Sequence, residues 1–295
     1  MSERFYKADI FGVDYENGAE AKKLINDWVS NKTEGLIPSM LSDAPNAETQ
    51  AIIASALYFE DEWTTHFMPE EFTRRESSIN LIYKCRMPFY VEENESREID
   101  MMVNMNKFNY HLDEDFGAQI IELPYEGSKL SMYVLLPTKV GSSHLRELKK
   151  KLTFERIEDL IGKMKDTHCS LGLPRMRLSS ELELRDVLGA MGLETLFDPA
   201  AADLSYGEPR NNNNSSSSHE ENATTSSRRA YLDKIVQKVE MSVTESGTKA
   251  AAAGLGIIDR AGGVYKRFLA DHPFLFFIRH KVTKSILFYG TINKP

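Results

Sequence analysis

The sequence predicts an α+β fold in which helices surround large mixed and antiparallel sheets, and three observations carry that reading. Apolar runs of strand length recur down the chain, among them "KLSMYVLLP", "HPFLFFIRH" and "KSILFYGTIN". Two of these runs, "QIIELPY" and "KLSMYVLLP", flank Glu126-Gly127-Ser128 closely enough to form a hairpin. A few other stretches have apolar residues at helical spacing instead.

Taken in order, Phe5, Tyr6, Ala8, Ile10, Phe11, Val13 and Tyr15 alternate as in a strand. Gly18–Leu41 places Ala21, Leu24, Ile25, Trp28 and Val29 on one helical face, with Gly35 and Pro38 as stops. Ala47–Trp63 reads as a buried strand in its middle, and Arg97–Pro137 as strands broken by turns. "SSHLRELKKKLTFERIEDLIGKM" is helical through Leu145, Leu148, Leu152, Ile157, Leu160 and Ile161. Cys169–Phe197 reads as a strand and then a helix capped near Ser179 or Ser180. Tyr231–Glu245 is again strand-like, and two strong strands end the chain. Residues 206–229 are Asn/Ser-rich with almost no apolar side chains, so this reads as a disordered surface insertion rather than a linker.

The 41% hydrophobic and 27% charged composition suits a globular chain of one large or two smaller domains. The net charge of −8 argues against nucleic acid as a partner. No apolar run approaches the ~20 residues of a membrane-spanning helix. Cys85 and Cys169 are two free thiols or one bridge.

Enzyme motifs do not hold up. Ser246–Lys249 matches S-x-x-K, but its companion S-D-N and K-T-G motifs are missing. No nucleophile elbow, phosphate loop or zinc motif is present, and the seven histidines lack metal-ligand spacing. His168 and Cys169 are adjacent, so a strand turns them to opposite faces. The reading is not an enzyme, with no cofactor and no metal.

The last hundred residues carry a resemblance. "VEMSVTESGTKAAAAG" resembles the hinge of a serpin reactive-centre loop, and "FLADHPFLFFIRH" with "ILFYGTIN" resembles the serpin C-terminal signature. "NDWVSNKTEGLIPSML", "ASALYFEDEWTTHF", "IIELPYEGSKLSMYVLLP" and "LPRMRLSSELELRDVLGAMGLETLF" resemble serpin segments in the family's order. The resemblance implies one serpin domain over residues 1–295 with an exposed reactive-centre loop at 245–268. It also implies first helices and strands that have no counterpart here, so a chain truncated at its N-terminus is expected. The implied function is suicide inhibition of a serine protease. The partner is held as a covalent acyl complex, and the loop inserts into the central sheet. A non-inhibitory serpin or a non-functional fragment is the alternative.

The loop sequence suits insertion. One parity reads Thr248, Ala250, Ala252, Gly254, Gly256, Ile258; the other reads Lys249, Ala251, Ala253, Leu255, Ile257, Asp259. The first set is uncharged and small until Ile258, so it can enter a core without burying a charge, while Lys249 and Asp259 stay outside. An Ala-rich helix or plain loop is the structural alternative. By the resemblance, Glu245 and Gly247 belong to the hinge, Arg175 pairs with Glu245 at the sheet opening, and Trp63 packs there. Ser55 and Gln237 stand where the family usually has asparagine and histidine, in a polar cluster under the opening. Their replacement leaves either a rebuilt hydrogen-bonded pair or a weakened latch.

Counting forward from Gly247 puts the scissile bond after Ala261; counting back from Pro273 puts it after Gly262. Arg260 is the one strong specificity residue nearby, which favours Arg260–Ala261 and a trypsin-like target. Cleavage after Ala261 would suit an elastase-like one. Acceptor sequons at Asn31, Asn94, Asn213, Asn214 and Asn222 favour an extracellular location, with a cytosolic one as the alternative.

Overall fold

The computed structural model describes residues 8–68, 86–202, 204, 230–245 and 265–295. In chain order the elements are α1 (Gly18–Lys32), β1 (Ile52–Phe59), β2 (Arg86–Glu92), β3 (Glu95–Asp113), β4 (Ala118–Pro124) and β5 (Leu130–Pro137). Next come α2 (Ser142–Lys151), α3 (Phe154–Gly162), β6 (Lys165–Pro174), β7 (Met176–Glu183) and α4 (Arg185–Leu188). The last four strands are β8 (Lys234–Val243), β9 (Lys266–Leu269), β10 (Phe274–His280) and β11 (Ile286–Ile292). The chain divides into two compact units, 1–59 with 178–241 and 60–177 with 242–295.

The second unit is built on an eight-stranded sheet, β11-β10-β5-β4-β3-β6-β9, with β2 alongside β3. β10 is buried at six of its seven positions, which is why "FLFFIRH" lacks the alternation of a one-sided strand. Helices α2 and α3 cover one face, setting Leu145, Leu148, Ile157 and Leu160 against Ile120, Tyr133, Leu135, Leu275 and Phe277. Gly290 lies opposite Phe276, whose ring is 2.7 Å from where a Cβ would stand, so only glycine fits between β10 and β11. The β4–β5 hairpin closes where expected, pairing Pro124 with Ser131 around Gly127 at φ 72°.

In the first unit α1 buries Ala21, Ile25 and Val29. The last two meet Ile37, Met40, Leu41 and Val236. Asn26 ties the helix to the returning chain: its Oδ1 accepts from Met40 N and Leu41 N, both at 2.8 Å. Gly35, at φ 81°, supplies the left-handed turn beyond the helix. The sheet has three strands in the order β1-β8-β7.

Several sequence expectations need correction. Residues 8–14 form no strand, and Ile10 and Phe11 stay exposed. Their apolar alternation has no ladder partner among the described residues; Phe11 instead rests on Trp28, 6.2 Å between centroids. No residue of β1 is buried, and Ile53, Leu57 and Tyr58 are exposed. The single helix expected after Ser142 is two, because Thr153 starts a new one by accepting from Arg156 N at 3.2 Å. Ser179 and Ser180 cap nothing. They lie in β7, where Ser179 Oγ donates to Glu240 Oε1 at 2.5 Å, and the helix starts only at Arg185. Residues 266–268 of the expected loop belong to β9. The insertion 206–229 and Cys85 lie outside the described residues. Cys169 is a free, fully buried thiol, and burial pushes it up to about 11.

Candidate functional site

The candidate site residues fall into two groups, one in each unit. In the second unit Trp63 is the centre of a packed aromatic group and is only 4% exposed. A single antiparallel bridge joins it to Tyr125, and their rings stack at 4.4 Å with 15° between planes. Phe67 meets the same indole edge-on at 5.9 Å. The indole N–H finds its partner in the chain itself: Nε1 donates to Thr244 O at 2.9 Å.

The next residue is held as well. Arg175 Nε donates to Glu245 Oε1 at 3.1 Å, and Arg175 Nη2 donates to the same oxygen. The pair is partly buried, which strengthens it over a surface ion pair. The guanidinium is placed by its own backbone, where Arg175 N donates to Asp100 O at 3.0 Å. Thr244 and Glu245 are therefore fixed in succession, immediately before the stretch that begins at Ser246. Beyond that stretch, Tyr265 packs edge-on against His168 at 5.6 Å, and β9 runs parallel to Cys169–Gly172 of β6.

In the first unit Ser55 and Gln237 are register partners in the middle of the β1–β8 ladder. That ladder is parallel and unbroken over eight pairs, from Ile52 opposite Lys234 to Phe59 opposite Met241. Among the described residues no hydrogen bond joins the Ser55 and Gln237 side chains. The neighbouring Lys238 is better anchored, donating to Ser39 O at 3.0 Å with Glu181 at 3.6 Å.

Sequence reasoning named Trp63, Arg175 and Glu245 but missed Tyr125, Phe67 and Thr244. The Tyr125 stack joins residues 62 positions apart, and the Thr244 contact uses a backbone oxygen, so neither leaves a local pattern. Gly247, Thr248, Ala250, Ala251, Ala252, Ala253, Arg260, Ala261 and Gly262 lie outside the described residues. Among the described residues no group of three His, Cys, Asp or Glu could hold a metal ion. No helix there is long and apolar enough to cross a membrane.

A parallel strand pair under one helix and a long mixed sheet covered by two define an α+β protein built on two sheets. The family profile described as serpin (serine protease inhibitor) matches residues 1–295, and the chain belongs to the serpin family. It is 34% identical over 294 residues to the leukocyte elastase inhibitor of Xenopus tropicalis, covering 98% of this chain and 70% of that protein. It is 32% identical over 302 residues to human plasminogen activator inhibitor 2, covering all of this chain and 66% of that one. Among solved structures, uncleaved ovalbumin superposes with a TM-score of 0.81 at 27% identity, over all of this chain and 71% of that one. A tumour suppressing serpin, at 24% identity and TM-score 0.76, shows the same fold.

Proposed function

We propose that this chain inhibits serine proteases by a suicide mechanism, offering the 246–264 stretch as bait and inserting its first part between β1 and β8. The observation that carries the reading is the parallel β1–β8 ladder whose second strand runs straight into the hinge. Parallel pairing is slightly less stable per residue than antiparallel pairing. A segment that turns back after β8 runs antiparallel to β8, and therefore antiparallel to β1 as well. Insertion thus exchanges one parallel ladder for two antiparallel ones. Thr248, Ala250 and Ala252 would lead that strand inward, with Lys249 outward. The contacts at Thr244 and Glu245 hold the hinge until cleavage frees the loop.

Arg260–Ala261 is the bond we assign, with a trypsin-like target. Cleavage after Ala261 or Gly262 would suit an elastase-like one, in keeping with the names of the leukocyte elastase inhibitors. The protein supplies the attacked carbonyl and the target supplies the nucleophile. The extracellular preference gains no support over the cytosolic alternative from the fold or the relatives' names.

Incubation with trypsin-like and elastase-like proteases tests this directly. We expect a released C-terminal peptide beginning at Ala261, and an adduct that survives denaturing electrophoresis when the chain also carries the family's first helices, but not from these 295 residues alone. In that longer chain Thr248→Arg should convert the inhibitor to a substrate, because a charge would have to enter the sheet first. Cleavage with no adduct in the longer chain would defeat the mechanism and leave the non-inhibitory reading standing.

A further inference from the structure

We infer that the first unit carries a docking surface, separate from the loop, that fits a basic amphipathic peptide segment of another protein. It is built on residues 182–194, where β7 gives way to α4 and then to a π-helical turn at Gly189–Leu193.

This stretch divides its apolar side chains between two sides. Leu184, Leu188 and Leu196 turn inward and pack on Phe197, Leu232 and Ile235. Leu182, Val187, Met191 and Leu193 stay in solvent, exposed by 47%, 54%, 75% and 44%. Val187 and Met191 are four residues apart, so the helical turn sets them on one side. Exposed apolar side chains grouped in this way, with a polar rim, mark interaction sites.

The rim defines the partner. Asp186 and Glu194 are exposed and have no ion-pair partner among the described residues. The one cation of the stretch, Arg185, is committed inward. Its guanidinium donates to Asp233 O at 3.2 Å and Phe197 O at 3.5 Å, and lies 5.6 Å from the Phe197 ring centroid. The apolar group is therefore rimmed by unpaired negative charge, and its complement joins apolar residues to Lys or Arg. Met191 precedes Gly192 at φ 99°, and an unbranched thioether beside a glycine suits a surface that repacks around such a partner. A solvated turn is the plain alternative, and the second unit offers a comparison. Phe154 and Val282 are equally exposed, at 52% and 80%, but Lys281 and Lys284 flank Val282 and give that surface the wrong sign.

That contrast sets the experiment, which reads binding alone and so stands or falls separately from protease inhibition. Fluorescence anisotropy of the full chain uses a labelled Leu/Lys amphipathic helix of about eighteen residues, five turns. A second arm uses the same peptide with every Lys replaced by Glu. The Lys peptide should bind, more weakly as salt rises, and the Glu peptide should not. Val187→Ser with Met191→Ser should weaken binding about tenfold or more, as should Asp186→Asn with Glu194→Gln. Phe154→Ser with Val282→Ser should leave it unchanged. Without any substitution, the bound peptide should slow oxidation of Met191 by hydrogen peroxide, read as sulfoxide by mass spectrometry. Oxidation of Met164 in the second unit should not change. Failure of the Lys peptide to bind, equal binding of both peptides, equal weakening by the Val187/Met191 and Phe154/Val282 pairs, or no protection of Met191 would overturn the assignment.

Discussion

The strands β10 and β1 are both mostly apolar and meet opposite fates. "FLFFIRH" is buried at six of seven positions, while "IIASALYF" is buried at none of eight. β10 lies between β5 and β11, with helices over its sheet. β1 is the edge of a three-stranded sheet, where α1 packs on the face carrying Ile52, Ala54 and Ala56, and Ile53 and Leu57 are left exposed on the other. Apolarity predicts that a segment will pair into a sheet. Burial depends on what the rest of the chain lays over it.

The sharpest way to break this comparison is to truncate one side chain in each strand. Phe277 is fully buried and stacked on Tyr133 at 5.0 Å. Phe277→Ala should cost about 3–5 kcal/mol. Leu57→Ala on β1 should cost under ~1 kcal/mol, because its side chain already meets water. Denaturant midpoints measure both, and comparable losses would show that β1 is covered in solution.

The second prediction uses acid. Glu122 on β4 is buried, which by itself raises its carboxyl. Asn109, Lys281 and Ser131 donate to it and together outweigh the burial, so it titrates below the ordinary 4.5. The unfolded chain therefore takes up this proton first as pH falls. The stabilisation is complete above about pH 4.5 and is lost as pH drops through the folded value. Glu122→Gln should flatten the acid limb of stability against pH. An unchanged acid limb would remove Glu122 from the account.

A smaller effect is expected at Trp63. Trp63→Phe keeps the stack on Tyr125 but removes the donor to Thr244 O, at about 1 kcal/mol. Protease digestion near residue 245 should speed up if that bond helps hold the hinge.

The legibility of the chain follows the same division. Where neighbours are local in sequence the reading is accurate: the β4–β5 hairpin and the C-terminal strands stand where the pattern puts them. Where an element depends on distant partners it drifts. Residues 8–14 alternate like a strand but pair with nothing described, and Ser179 looks like a cap but serves β7 by bonding Glu240. Arg175 and Glu245 were reachable from the family's motif order, whereas Tyr125 was not, since nothing in "LPY" announces a partner at residue 63.

The least effect should come from the polar pair inside the open sheet. Ser55 and Gln237 face each other across β1 and β8, yet no hydrogen bond joins their side chains. If the pair were a latch, removing either partner would leave a part-buried polar group unsatisfied and cost about 1–3 kcal/mol. With no bond to lose, Ser55→Ala should stay within ~0.5 kcal/mol. The coupling energy from a double-mutant cycle with Gln237→Ala should be equally small. The main resistance to separating β1 from β8 is then the backbone ladder and the apolar residues under α1, not this pair. A coupling above ~1 kcal/mol would restore the latch and place part of the resistance to separating β1 from β8 at Ser55 and Gln237.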